Sequence, residues 1–434
     1  MTVDAEAAAA RTIRGPRGWL VLLGLVIGLL GGILAAKSGD GLREPLIQAA
    51  SVVGTLWLNA LKMTVIPLIV ALLVSGIARM AEAARGGRIA AVSVAFFLGI
   101  FLCSATLGAV LTPLLTDLFP LPPSAAEAMQ AGLASLDPGA TASVVPKAQD
   151  FVRNLVPPNV IAAAANGDVL PLVIFTLLFA LAISRLGEQR RRSLVGLFEG
   201  IGDALLIVIS WVLAVAPIGV LALSFGLGAS AGGGAFAALG YYILLVSCVG
   251  LVVALAAYPL AVLAGGRRPG EFARAMIAPQ SMAISTRSSL ACLPPMLAAA
   301  RNLKVREGVM DVTLPMAVAL FRATGPAMNL AVLFYIAEWM GLEPTLAQAI
   351  AAIFVAVLMS LSAVSLPGEI SFISSIAPIG IALGIPLGPL ALLIAVEMIP
   401  DMFRTFGNVT MDVAVTTSVD RQTALKTTEK MNAR

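Results

Sequence analysis

Asp401, Arg404, Thr405, Asn408 and Asp412 all fall within the stretch DMFRTFGNVTMD, directly after the apolar run LGPLALLIAVEMIP. At 100° per residue on a helix these five lie within an arc of about 100°, and Glu397 falls on the same arc. A guanidinium in a dry pocket makes a two-point contact with a carboxylate, and a lone carboxylate suits an ammonium group. A helix with one charged stripe on an apolar surface turns that stripe toward protein or water, because each charge at bilayer depth costs ~2.5–3.5 kcal/mol. The stripe forms an internal ion-pair network, binds a charged solute, or does both.

The elements that must position this stripe are greasy throughout. The chain has 434 residues, 59% hydrophobic and 12% charged, with mean hydropathy +0.97. That balance belongs to a polytopic membrane protein and leaves no room for a sizeable soluble domain. Apolar runs place membrane helices at about 18–36, 53–78, 89–115, 169–186, 201–226 and 239–264. A further helix at about 308–340 is broken near Gly325-Pro326, and a last one covers about 388–418. Residues 272–301 and 345–386 have interrupted cores containing Ser and Pro. The basic-then-apolar start resembles a signal peptide, but Trp19–Ala36 is long enough to span and reads as a retained first helix. Residues 116–168 read as an external polar loop, 227–238 as a short flexible loop, and 1–17 and 419–434 as polar cytoplasmic tails.

The basic residues set the orientation. With the N-terminus inside and both interrupted segments entering and leaving on one side, twenty of the 28 Lys and Arg residues are cytoplasmic. Lys37, Arg43, Lys147 and Arg153 are outside, and Lys62, Arg287, Arg322 and Arg404 lie within membrane segments. This bias supports cytoplasmic termini in a cell (inner) membrane protein and makes 272–301 and 345–386 re-entrant hairpins. The hairpins echo each other: SSLACLP ends at Pro294 and LSAVSLP at Pro367, placing Ser289 opposite Ser362. Paired broken segments in two halves of a chain mark an inverted repeat with its site near the bilayer midplane.

Other classes are excluded by what is missing. No histidine is present, which removes haem, most zinc sites and a Ser–His triad. Cys103, Cys248 and Cys292 sit in apolar surroundings and form neither a disulfide framework nor a metal cluster. Ser288 or Ser289 as a nucleophile would lack a base, since neighbouring Arg287 does not deprotonate; the chain does not read as an enzyme. There is no ATP-binding loop. The net charge of +4 follows from topology rather than from nucleic-acid binding. A channel would need a continuous polar path instead of two hairpins meeting at a closed site.

Several stretches, in order from about 53 to 421, resemble the dicarboxylate/amino acid:cation symporter family, the glutamate transporter homologues. They are LKMTVIPLIVALLVSGIA, NGDVLPLVIFTLLFALAI, APIGVLAL, STRSSLACLP, SLPGE and DMFRTFGNVTMD. The resemblance implies an all-α membrane protein of eight transmembrane helices and two re-entrant hairpins in inverted repeats. It implies a homotrimer among lipids, with no nucleic acid. It also implies elevator-type transport, in which a scaffold (about 18–78 and 169–264) carries a sliding part (about 89–115 and 272–418). By matched position, Asp401 would take a substrate amino group and Arg404 its side-chain carboxylate. Thr405, Asn408, Arg287, Ser288 and Ser289 would assist the main carboxylate. The implied substrate is a small organic anion. Aspartate or glutamate fits both charges; a dicarboxylate, cystine, a neutral amino acid, or an uncoupled exchanger or anion channel are the alternatives.

The departures from that family concern the coupling ion. The family's Asn-Met-Asp-Gly-Thr motif is replaced by Phe321, Arg322, Ala323, Thr324 and Gly325. Positions supplying hydroxyl ligands on the third helix are Ile100 and Phe101, the first tip ends in Leu290, and the second tip carries Ser365 and Glu369. Of the family's cation ligands, Asn408 and Asp412 remain. The expectation is that no cofactor or firm metal site exists and that sodium coupling is weakened or replaced by protons. Arg322 would stand in for a bound cation, paired with Glu369 or Asp412.

Overall fold

The structure, a computed structural model, describes residues 18–37, 40–136, 156–231, 234–362 and 368–432. Every regular element among them is helical. In chain order these are α1 (Gly18–Ala36), α2 (Asp40–Arg85), α3 (Arg88–Leu118), α4 (Pro123–Leu136), α5 (Val160–Asn166) and α6 (Val169–Ile183). Then come α7 (Glu188–Ala214), α8 (Ala216–Ala231), α9 (Gly234–Leu263), α10 (Pro269–Thr286), α11 (Leu293–Asn302) and α12 (Glu307–Leu320). The last are α13 (Gly325–Met340), α14 (Leu346–Ser362), α15 (Gly368–Leu383), α16 (Gly388–Leu393) and α17 (Met398–Asn432). Six spans are long and apolar enough to cross a membrane: α1, α2, α3, α7, α9 and the α12–α13 pair. Helices α6, α8, α14 and α15 are apolar but shorter. In a bilayer helices satisfy their own backbone groups, which is why this composition yields helices.

The broken segments fall where the Pro and Ser residues forecast them. Helices α10 and α11 form one hairpin with its tip at 287–292, and α14 and α15 form the other. In the first, the Leu-Pro pair opens the returning limb, while the second pair, Leu366-Pro367, lies outside the described residues. Pro294 sits in the first turn of α11, where its missing N–H removes no helix bond. Helix α15 begins directly after Pro367.

Several boundaries differ from the sequence-based expectation. The expected single helix at 201–226 is two, α7 and α8, which meet at Val215 just ahead of Pro217. The expected loop at 227–238 is largely helical, with the ends of α8 and α9 in it. The expected external loop at 116–168 contains α4 and α5. Helix α4 buries Ala125 and Met129, and Gln130 Nε2 donates to Trp339 O at 2.6 Å. Helix α2 starts thirteen residues early and runs for 46, about 69 Å at 1.5 Å per residue, far more than a ~30 Å hydrocarbon core.

The carboxy-terminal segment, expected as a polar tail from 419, is a continuation of α17. Asp420 explains it: its carboxylate accepts from Arg306 Nε at 2.6 Å and from Arg267 Nη2 at 3.0 Å. Arg306 also donates to Asp420 O and to Thr423 Oγ1. The connections before α10 and before α12 are thereby tied to α17.

Helix α1 lies against α8 through small residues. A Cβ added to Gly24 would meet Pro217 O at 2.5 Å, and one on Gly28 would meet Leu221 O at 2.4 Å. One on Gly32 would meet Phe225 O at 2.1 Å. Glycine every fourth residue lets two backbones approach closely in a membrane, where packing replaces the hydrophobic effect as the driving force. Helix α2 packs on α6, α7 and α8, while α17 packs on α9, α10, α12 and α3. The buried hydroxyls of Thr410, Thr416, Thr417 and Ser418 bond back to carbonyls three or four residues earlier, so α17 carries them into the interior satisfied.

Candidate functional site

The stripe on α17 faces inward as its spacing requires: Asp401, Thr405, Asn408 and Asp412 are all buried, Asp412 completely. Two elements bring it partners. One is the tip of the α10–α11 hairpin, and the other is the break between α12 and α13 at 321–324.

At the near end of the stripe, Arg404 Nη2 donates to Glu397 Oε1 at 2.9 Å, and Arg404 Nη1 donates to Asn329 Oδ1 of α13 at 2.9 Å. Glu397, in the turn before α17, is 2% exposed. Its second oxygen accepts from the Tyr242 hydroxyl of α9 at 2.6 Å. The guanidinium is thus matched by a carboxylate of its own chain. Sequence reasoning placed Glu397 on the right face but missed Asn329 and Tyr242, which lie 75 and 155 residues from their partners. The adjacent Tyr241 and Tyr242 in an apolar run were the available signal.

The hairpin tip supplies a second guanidinium. Arg287 Nη1 lies 3.7 Å from Asp401 Oδ2, an ion pair too long for a direct hydrogen bond. Arg287 ends α10 in the left-handed conformation, φ 51°, which costs a non-glycine residue about 1–2 kcal/mol. Ser288 and Ser289 sit beside it, half-buried. Ser288 Oγ accepts from Ala291 N at 3.3 Å, and the carbonyls of both serines accept from Cys292 N. Thr405 Oγ1 donates to Asp401 O at 3.1 Å, fixing the first turn of the stripe.

The helix break is pinned from both sides. Ser104 of α3 donates to Ala323 O at 2.5 Å. Thr324 donates both its N–H and its hydroxyl to Asn408 Oδ1, each at 2.9 Å. Phe321 stacks on Phe97 with centroids 4.5 Å apart and meets Phe101 at 5.3 Å; all three rings are essentially inaccessible. Asn408 therefore spends its carbonyl on Thr324, and an aromatic cluster lines the neighbouring face of the break.

Between these lie two charges with open valences. Among the described residues neither oxygen of Asp412 has a hydrogen-bond partner, and Arg322 Nε, also buried, has none. Arg322 forms no ion pair within 4.0 Å among the described residues, so the expected contact with Asp412 is not made directly. The two still feel each other's field, and Arg322 is also attracted by Asp401 and repelled by Arg404. The expected partner Glu369 is the second residue of α15, but its side chain, like all of Ser365, lies outside the described residues. Among the described residues no cluster of metal-ligating side chains occurs.

The sequence matches the profile of the sodium:dicarboxylate symporter family over residues 18–422. It is similar to the proton/glutamate-aspartate symporter of Escherichia coli strain K12, 28% identical over 408 residues, covering 92% of this chain and 91% of that one. The proton/sodium-glutamate symport protein of Bacillus subtilis strain 168 is 29% identical over 399 residues, covering 90% and 89%. The C4-dicarboxylate transport protein of Laribacter hongkongensis is 27% identical over 410 residues, covering 92% and 88%.

Proposed function

We propose, from the premise that this chain belongs to the sodium:dicarboxylate symporter family, that it is a secondary active carrier of small organic anions with its solute site on α17. It is a multi-pass membrane transporter and not an enzyme. Energy comes from ion gradients. The observation that carries the reading is the buried stripe of α17, with Asp401 met at 3.7 Å by Arg287 of the hairpin tip. Charges at that depth persist only where they are paired or serve a solute.

The proposed solute contacts are Arg287, Ser288 and Ser289 at the first tip and Ser365 at the second. Asp401, Arg404, Thr405 and Asn408 complete them on α17. Aspartate and glutamate fit a site holding both a carboxylate and guanidinium groups. A dicarboxylate is the second reading, favoured because Asp401, the natural seat for an amino group, already faces Arg287.

We further propose that sodium does not drive this carrier. Sodium asks for several oxygens, whereas Asn408 Oδ1 already accepts two bonds and Phe321 and Phe101 occupy the adjoining wall. Asp412 is left as the coupling group, with Arg322 as a resident positive charge near it, Glu369 as a further candidate, and a proton as the coupling ion. The proposed architecture is a homotrimer in the cell membrane with cytoplasmic termini. The moving part comprises α3 and α10–α17; the packing of α9 along α17 supports grouping α9 with it.

Uptake of radiolabelled L-aspartate, L-glutamate and succinate by purified protein in liposomes tests the reading. Saturable uptake with counterflow is expected of a carrier. Uptake that never saturates and shows no counterflow would replace the carrier with a channel.

A further inference from the structure

Three guanidinium groups lie around the solute site, and they differ in what they are already holding. Arg404 has two short contacts, to Glu397 and Asn329. Arg287 is drawn to Asp401. Among the described residues Arg322 donates no hydrogen bond, and its buried Nε has no partner, although a guanidinium carries five N–H donors. A partly buried cation with an unmatched buried donor is costly unless a partner arrives.

The stem of Arg322 is held for such a partner. Residues on its carboxyl side are fixed by Ser104 at Ala323 and by Asn408 at Thr324. On its amino side Phe321 is clamped between Phe97 and Phe101. The root of the side chain lies beside Gly325, near Ser360 of α14, so it stands where the first limb of the second hairpin meets the break. The side chain keeps partial access to solvent. A backbone fixed on both sides of Arg322 lowers the ordering cost when an anion arrives.

Recruiting Arg404 instead would mean breaking a 2.9 Å bridge to Glu397. That would leave a carboxylate 2% exposed with only the Tyr242 hydroxyl to hold it. Nothing has to be broken at Arg322.

We propose that Arg322 receives a carboxylate of the transported solute, so that affinity for short organic acids depends on Arg322 as well as on Arg404. This rests on the carrier reading above and names the group that recognises the anion. The alternative is a resident cation serving only to balance Asp412.

Thermal unfolding of the purified full-length protein, titrated with succinate and with L-aspartate, separates the two. A ligand that binds the folded state raises its apparent stability. In Arg322→Gln the apparent affinity for both acids is expected to fall about 10- to 100-fold, the range of one charge-assisted hydrogen bond or two. Arg322→Lys keeps the charge but not the fork and should recover part of that loss. Because Arg322 also offsets the buried charge of Asp412, the assignment is read on ligand affinity and not on ligand-free stability; a cation that only balances Asp412 predicts parent-like affinity in Arg322→Gln. Parent-like affinity for both acids in Arg322→Gln, or no recovery at all in Arg322→Lys, overturns the assignment. If the unaltered protein responds to neither acid, the carrier reading fails first, and this assignment with it.

Discussion

Arg404 and Glu397, seven residues apart, close a 2.9 Å ion pair across the turn that opens α17. The pair is extended by Tyr242 on one side and Asn329 on the other, so four segments of the chain converge on it. Breaking a buried pair from one side strands the other charge and costs about 3–5 kcal/mol. Arg404→Ala should therefore destabilise the protein strongly, and Glu397→Ala similarly. The double variant should be less destabilised than the sum of the two, with an interaction energy of about 0.5–3 kcal/mol. Unfolding in detergent, followed by tryptophan fluorescence, measures all three. Additive losses would mean that the two residues act independently.

The contact between Thr324 and Asn408 holds the helix break to α17. Asn408→Ala leaves the Thr324 N–H buried without an acceptor, a penalty of about 1–3 kcal/mol. Thr324→Val removes the hydroxyl with its bonds to Asn408 Oδ1 and Arg404 O but keeps the N–H bond; it strands no buried N–H and should cost less. The order of the two melting temperatures checks this: Asn408→Ala is expected to be the lower.

Much of this arrangement is legible in the chain, and the exceptions have physical reasons. The stripe on α17 follows from helical period alone, so Asp401, Thr405, Asn408 and Asp412 all turn inward together. The hairpins follow from polar cores and Leu-Pro pairs. Glu397 beside Arg404 follows from the helical wheel, because residues seven apart share a face. Asn329 and Tyr242 could not be found that way, since their partners are distant in sequence and nothing in an apolar run marks which polar side chain meets which. The split at Val215 was obscured by uninterrupted hydrophobicity, although Pro217 was there to signal it. The extension of α17 past 418 was hidden because its hydroxyls look like a polar tail until their bonds to the helix backbone are seen.

The seam between α1 and α8 predicts a sharp size limit. The Cβ of any residue at Gly28 would fall 2.0 Å from Ser224 Oγ and 2.4 Å from Leu221 O, and backbone atoms cannot give way as side chains do. Overpacking costs about 1–3 kcal/mol and more where backbone must shift. Gly28→Ala should lower the melting temperature, and Gly28→Val should lower it further or abolish folding. At Gly196, by contrast, an added Cβ meets nothing within 4 Å, so Gly196→Ala should fold as the parent does. Parent-like stability in Gly28→Val would mean that the two helices are not in backbone contact.

Asp412 carries the sharpest prediction about energy coupling. Its carboxylate is wholly buried and, among the described residues, neither oxygen accepts a hydrogen bond, a state that needs a proton or a cation to balance it. Arg322 supplies a positive field from beyond 4 Å, which offsets the charge but fills no lone pair. If a proton is the travelling partner, uptake should follow an inward proton gradient and persist when sodium is replaced by choline. Asp412→Asn fixes the site in a neutral form of the same shape. Such a variant should still exchange external for internal solute in counterflow but should no longer accumulate solute when a pH gradient is imposed. A strict sodium requirement in the parent would remove the proton from this role. Gradient-driven accumulation surviving in Asp412→Asn would move the coupling group elsewhere, with Glu369 the next carboxylate to substitute.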